Sequence, residues 1–589
     1  MWSAFRKFQR LFSTRQKRQL VGLFFLMLFG AFLEILGVSL IVPLVSVVMQ
    51  GDIMKTNQFV GAVCKSFHIQ SDRVFLICCI ILLIVVFIFK DLYLVFQIYV
   101  QNRFVYNNRF RMQQRLMDMY LNRGYEYYLN ASSGEVVRVV QSDVANAFHL
   151  LSGLLNFGTE LVVSLFLVVT VFVINPLMTL LVGAVLFFVM VLTARVAKPH
   201  LNKQGVILQE SIAQTNKWLF QMVNGIKEVT VGDKKGFFLA NFSVHGKRLA
   251  RAERWNNLLQ NAPRLLIEAA SVVSMLAALL VAVLMEVEIS GLVPTIAAFG
   301  MAAMKLMPSA NRISGALNQA AYLGPSLDNL LESLQLDTKP DIKSSGGVPC
   351  ENRAEYKTSG SASSLSLTKN VELRHISYHY PNEAVPVLQD ADMLIPIGKS
   401  IGIVGASGAG KTTAVDIMLG LLQPQAGEVL ADGVPVKEHY AEWLSHIGYI
   451  PQMIFMLDDT IRANVAFGVA PEAVEEDRVW KALEEAQLSD FVRGLPQGLD
   501  TAIGERGIRL SGGQRQRIGI ARALYPNPEL LFFDEATSAL DTETESAIME
   551  SINRLHGRKT LVIIAHRLAT IAECDMVYRV GDGAITRER

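Results

Sequence analysis

Long apolar runs fill the first half of the chain and constrain its fold most. Six stretches, about 20–49, 74–100, 147–174, 176–196, 262–285 and 289–310, are apolar over the roughly 20 residues a helix needs to cross a bilayer core. In hydrocarbon, backbone N–H and C=O groups must be satisfied without water, so such runs fold as helices. The 589 residues are 51% hydrophobic with mean hydropathy +0.32, too apolar for an ordinary soluble enzyme. Only Ile174-Asn175-Pro176 separates the third run from the fourth, and only Glu286–Ile289 the fifth from the sixth. The stretches 101–146 and 197–261 are long, polar and rich in Arg and Lys. With the basic N-terminus (Arg6, Lys7, Arg10, Arg15, Lys17 and Arg18), they belong on the cytoplasmic side, which gives an N-in, C-in topology. That N-terminus is not a secretory signal, because the run behind it is too long and has no small-residue cleavage site.

Between the first two runs, Phe59, Val60, Val63 and Phe67 recur at helical spacing within Gly51–Arg73. A short amphipathic helix on the outer leaflet and a structured loop both fit this pattern. The net charge of +2 gives no reason to expect nucleic acid as a partner. Cys64, Cys78, Cys79, Cys350 and Cys574 show neither metal-ligand spacing nor a disulfide framework.

Charges at membrane depth are costly unless paired or facing a wet cavity, so those within the apolar runs are candidates for function. Those singled out within or near the runs are Lys90 (beside Asp91), Arg264 (four residues before Glu268), Lys305 and Arg312. Lys90 and Arg264 have acidic neighbours in sequence that could neutralise them. Lys305 and Arg312 have none, and several cations with few partners suit an anionic substrate.

The second half reads as an ATPase. Gly405-Ala406-Ser407-Gly408-Ala409-Gly410-Lys411-Thr412, followed by Thr413, fits the P-loop pattern between a predicted strand, Ser400–Val404, and a helix. Its backbone N–H groups are expected to wrap the phosphates of ATP, with Lys411 on the β- and γ-phosphates and the Thr412 hydroxyl on Mg²⁺. Farther on, Leu510–Asp541 holds the glycine turn Ser511-Gly512-Gly513-Gln514 into a helix, then the apolar strand Leu530–Phe533 ending in Asp534-Glu535. A glycine turn at a helix N-terminus aims N–H groups at an anion. A carboxylate at a strand end can hold Mg²⁺, and its neighbour can take a proton from the attacking water.

These residues resemble the ABC ATPases: the LSGGQ signature, the Walker B strand and the D-loop Ser538–Asp541 stand in order. The resemblance implies that Tyr380 stacks on adenine and that Gln452 touches Mg²⁺ and the attacking water. It further implies that His566 contacts the γ-phosphate, that Glu535 is the general base, and that Glu505 in Thr501–Gly507 meets a coupling helix. Catalysis is thereby assigned to Glu535, His566 and Gln452, and Mg²⁺ to Thr412, Gln452 and Asp534. In this family the P-loop of one domain and the signature of another close on one nucleotide. One chain with one set of motifs therefore pairs, most simply as a homodimer.

The long inner segments resemble the exporter branch of ABC transporters, whose coupling helices would fall at Ser133–Asp143 and Asn216–Asp233. The outer segment, the PRLLIE sequence around Arg264 and the KLMPSANRI sequence around Lys305 are similar to the PglK-type flippases of lipid-linked oligosaccharides. That resemblance implies that Lys90, Arg264, Lys305 and Arg312 attract the substrate's pyrophosphate. The family pattern usually has Arg at two of these sites. Lys90 and Lys305 keep the charge but lose the bidentate fork.

The expected architecture is an α-helical membrane domain of six transmembrane helices with long cytoplasmic extensions over 1–330, then a flexible linker over 331–370. An α/β P-loop ATPase domain follows over 371–589. The expected function is an ATP-driven flippase of a polyprenyl-pyrophosphate oligosaccharide in the cytoplasmic membrane. An exporter of another lipid, a drug or a peptide is the alternative.

Overall fold

The computed structural model describes residues 2–50, 72–174, 176–284, 289–335, 365–381, 383, 385–534, 550, 552, 554–564 and 571–589. For 37–50 and 281–307 it describes no side chains where the backbone is helical. The outer segment around 52–68, Glu535, the D-loop and His566 lie outside the described residues. The chain divides into two compact units, Met1–Leu121 with Ala131–Lys343, and Asn122–Asn130 with Ser344–Arg589.

The first unit is helical. After the amphipathic α1 (Trp2–Leu11) come α2 (Thr14–Gln50) and α3 (Asp72–Leu121). Between this unit's two segments lies α4 (Tyr125–Asn130), which groups with the second unit. Then follow α5 (Ser133–Val137), a π-helical turn (Arg138–Asp143) and α6 (Val144–Ile174). The unit continues with α7 (Pro176–Asn224), α8 (Ile226–Val231), α9 (Lys235–Leu284) and α10 (Ile289–Gln335). Among the described residues, stretches in α2, α3, α6 and α7 are long and apolar enough to cross a membrane. The fifth and sixth expected spans have helical backbones through Leu284 and from Ile289.

Large apolar side chains such as Phe25, Leu82, Phe187 and Val273 face outward, as helices solvated by lipid allow. Amides and hydroxyls join the helices. Gln16 donates to Asn108 at 2.8 Å and Gln101 to Asn156 at 2.8 Å, while Gln209 and Asn146 both donate to Ser326. Such bonds fix how one helix sits along another where apolar packing on lipid-like surfaces is indifferent.

The second unit is α/β. Four antiparallel strands, β1 (Asn370–Tyr378), β2 (Leu388–Pro396), β4 (Ala426–Ala431) and β5 (Val434–Pro435), lie in the order β2-β1-β4-β5. The second sheet uses β3 (Ser400–Val404), β6 (Ile447–Ile450), β7 (Leu530–Asp534), β8 (Thr560–Ile564), β9 (Met576–Gly581) and β10 (Ala584–Arg587). Its order is β10-β9-β3-β8-β7-β6, parallel except for β10. A parallel sheet covered on both faces needs strands apolar on both sides. In β7, Leu531 and Phe533 enter one core while Leu530 and Phe532 enter the other.

Both ends of the stretch expected as linker are structured. α10 runs to Gln335, while Leu365 and Leu367 are buried, and Asp432 accepts the N–H groups of Thr368, Lys369 and Asn370. Within the second unit, the buried Tyr378 hydroxyl donates to Glu126 of α4 at 3.3 Å. The segment grouped with the ATPase fold thus lies N-terminal to the expected coupling stretch Ser133–Asp143. That stretch is helical, with Asp143 buried against Arg138 at 2.7 Å. In the other expected stretch, α8 leaves the Val231 side chain exposed.

Candidate nucleotide site and membrane cations

The parallel sheet fixes the site. β3 runs into the P-loop, and β7 ends at Asp534 on the same edge, two strands away across β8. At about 4.8 Å per strand, the two lie about 10 Å apart along the edge, a span suited to a triphosphate with its metal. Gly405 needs its missing side chain, because a Cβ there would meet the Val580 carbonyl oxygen at 2.3 Å. Gly410 caps the helix α11 (Lys411–Met418) at φ 99°, which only glycine adopts without strain. The loop carrying Ala406, Ser407, Gly408 and Ala409 is thereby bent back over the helix N-terminus, the favourable end for anions.

Lys411 is buried, and its ammonium donates to the carbonyls of Gly405 and Ala406 at 3.0 and 2.9 Å. Thr412 is exposed beside it. The Thr413 hydroxyl bonds the Tyr380 hydroxyl at 3.0 Å, which ties the expected adenine-stacking ring to the P-loop helix. Tyr380 also packs edge-on against Tyr378, with centroids 5.3 Å apart.

Asp534 is buried and accepts a hydrogen bond from Tyr449 in β6. Burial, then the charge of Asp534, pushes the Asp416 carboxyl on α11 up to about 6. Burial, then the same carboxylates, raises the Tyr449 phenol. Tyr125 of α4 is raised by burial first and by Asp416 next, which puts its ring within the field of this pair.

Sequence reasoning missed Asp416, Tyr449 and Tyr125. For Asp416 a signal existed, as it is the lone carboxylate in the apolar stretch Ala414–Leu419. Nothing local marked the two tyrosines, which the fold brings in from elsewhere.

The signature turn is a capped helix start. Ser511 accepts from the Gln514 N–H at 3.2 Å while the Gln514 side chain accepts from the Ser511 N–H at 2.8 Å, a reciprocal capping box on the helix α12 (Gly512–Leu524). The N–H groups of Gly512 and Gly513 have no intrahelical acceptor and are available to an anion. Gln452 is exposed on a loop and Glu505 on a single 3₁₀ turn, Glu505–Gly507. β7 ends just before Glu535, and β8 ends two residues before His566.

The donor set fits a magnesium nucleotide. It combines a hydroxyl and carboxylates, the hard oxygen ligands Mg²⁺ takes, with a backbone cradle that tolerates no Cβ at Gly405. Bound there by Thr412 and Asp534, the ion would supply charge neutralisation at the phosphates.

Among the described residues, two of the membrane cations, Arg312 and Lys90, stand paired with carboxylates. Arg312 of α10 pairs with Glu160 of α6, Nη2 to Oε2 at 3.1 Å. Arg312 has no acidic neighbour in sequence, and its partner is 152 residues away. Lys90 is buried, 3.1 Å from Asp91 and 4.4 Å from the centroid of the Phe87 ring. Arg264 is exposed on α9, and the side chain of Lys305 lies outside the described residues.

A helical membrane unit joined to a P-loop ATPase defines a membrane transport ATPase. Residues 19–306 match the family model for the ABC transporter transmembrane region, and 388–538 match the ABC transporter model. A bacterial Atm1-family ABC exporter solved with ATP bound shares the fold at TM-score 0.74 and 22% identity, over 97% of this chain and 95% of that one.

Among curated proteins, the chain is 29% identical to the ATP-dependent lipid A-core flippase of Burkholderia orbicola over 494 residues, 83% of this chain and 79% of that protein. It is 41% identical to ABC transporter B family member 21 of Arabidopsis thaliana over 221 residues, 37% of this chain but only 17% of the plant protein. The chain is an ABC half-transporter of the exporter type: a multi-pass protein of the cytoplasmic membrane whose cytoplasmic ATPase domain drives transport.

Proposed function

We propose that the chain is an ATP-driven lipid flippase acting as a homodimer, and that its substrate is a polyprenyl-pyrophosphate oligosaccharide. One observation carries the lipid reading. The 494-residue match to a lipid flippase is far longer than the ATPase half, so the likeness extends into the membrane helices. Arg264, exposed on α9, supports an anionic head group.

In this reading Glu535 takes the proton of the attacking water, and His566 and Gln452 hold the γ-phosphate geometry. Lys411 with the P-loop of one subunit and Ser511–Gln514 of the other close on ATP. The pyrophosphate head group crosses beside Arg264 and Lys305 while the tail stays in lipid. The pairing of Lys90 with Asp91 and of Arg312 with Glu160 favours a second reading, an exporter of a less charged lipid.

Flipping assays in proteoliposomes decide between them, offering a fluorescent polyprenyl-pyrophosphate oligosaccharide or a zwitterionic phospholipid with ATP. Movement of the former, lost in Arg264→Ala while ATP hydrolysis persists, supports the oligosaccharide reading. Movement of the phospholipid alone replaces it with the second. If the protein hydrolyses ATP and moves neither lipid, the flippase proposal fails.

A further inference from the structure

We propose that a cavity between α2 and α3 holds the phosphate-bearing head group of an anionic phospholipid from the cytoplasmic leaflet. The cavity is a half-open cleft of about 480 Å³. Arg15 of α2 converges on it with Arg103 and Arg111 of α3, while Leu23, Leu26 and Val100 form its apolar wall. Among the described residues that line it none is acidic, so no carboxylate among them competes for the guanidinium groups.

Its height in the membrane follows from how the helices pair. Gln16 bonds Asn108 at 2.8 Å and the Tyr93 hydroxyl bonds the Leu26 carbonyl at 2.8 Å, so α2 and α3 run antiparallel and Arg15 lies level with the end of α3 that bears Arg111. At 1.5 Å per residue, Leu26 stands about 16 Å nearer the membrane centre than Arg15. The apolar run of α2 begins at Leu20 and that of α3 ends near Val100, so the boundary between water and hydrocarbon passes through the cavity.

A ligand that fits must be anionic at the cytoplasmic end and apolar at the other. A free phosphate would leave the leucines wet. A phospholipid fills both halves, with its phosphate in reach of planar forks suited to bidentate bonding. Basic pockets between membrane helices on this side are the usual form of head-group sites. The site does not depend on which lipid is transported.

Native mass spectrometry of the full-length protein in detergent tests this, with phosphatidylglycerol, phosphatidylcholine and inorganic phosphate as probes. Phosphatidylglycerol is expected to be retained in preference to phosphatidylcholine. Arg103→Ala and Arg111→Ala should each weaken it about five-fold, with partial recovery in Arg103→Lys. The double variant Lys17→Ala/Arg18→Ala, equally basic and juxtamembrane but outside the cavity, should bind like the parent.

Equal retention of the two lipids by the parent protein overturns the proposal without any variant. An equal loss in the Lys17/Arg18 variant reduces it to general surface charge and overturns it too. Displacement of phosphatidylglycerol by inorganic phosphate would show a free-anion site and refute the lipid.

Discussion

The ATPase fold and the membrane helices use polar residues in opposite ways. Around β3 and β7, polar groups converge because the parallel sheet delivers two strand ends to one edge, and the P-loop geometry admits few residue types. Along α6 and α10, the ion pair Arg312–Glu160 joins residues far apart in the chain. A cation there can serve a neighbouring helix or a ligand, and its sequence surroundings do not say which. A motif therefore carries function where backbone geometry restricts it, and a lone charge on a long helix does not.

The sharpest break of that comparison is at the strand end. Glu535→Gln is expected to lower kcat for ATP hydrolysis by about 10²–10⁴-fold while leaving nucleotide binding intact. A rate near the parent's in a steady-state phosphate-release assay would remove Glu535 as the base.

Glycines supply the next test. Gly405→Ala puts a Cβ 2.3 Å from the Val580 oxygen and should cost about 1–3 kcal/mol in stability, with loss of binding of a fluorescent ATP analogue. Gly246→Ala in α9 meets nothing within 4 Å and should be neutral or stabilise by about 0.5–1 kcal/mol. Equal effects in thermal unfolding would erase the contrast between the regions.

A double-mutant cycle on Glu160→Gln and Arg312→Gln, read by thermal stability, should give a coupling of about 0.5–3 kcal/mol. Additive losses would return Arg312 to the pool of substrate cations.

The smallest effect concerns Asp432. Burial raises its pKa, but the N–H groups of Thr368, Asn370 and Lys369 outweigh burial and hold it at about 2. A depressed carboxyl stabilises the fold above its unfolded pKa, near 3.9, and loses that contribution as pH falls toward about 2. Asp432→Asn should thus lower Tm at neutral pH and make progressively less difference below about pH 4. A pH-independent gap in Tm would mean that the bonds' geometry, rather than the charge, matters.

Much of this was legible in the sequence. The P-loop between strand and helix, the signature turn into a helix and the apolar Leu530–Phe533 strand follow from local pattern, because backbone hydrogen bonding acts over a few residues. The apolar runs of α2, α3, α6 and α7 were equally plain. Asp416 beside Asp534, and Tyr449 donating to it, were not, since they depend on helix and strand being laid side by side. The grouping of Tyr125–Asn130 with the ATPase fold was likewise invisible, because Glu126 and Tyr378 are remote in the chain.

The sequence by itself determined the class of machine, since long apolar runs have few folded solutions in lipid and a P-loop few substitutes. Tertiary structure alone decided that Arg312 stands paired with Glu160 and where arginines of two helices meet. Coulomb and hydrogen-bond partners are chosen by distance in space, which the order of residues does not record.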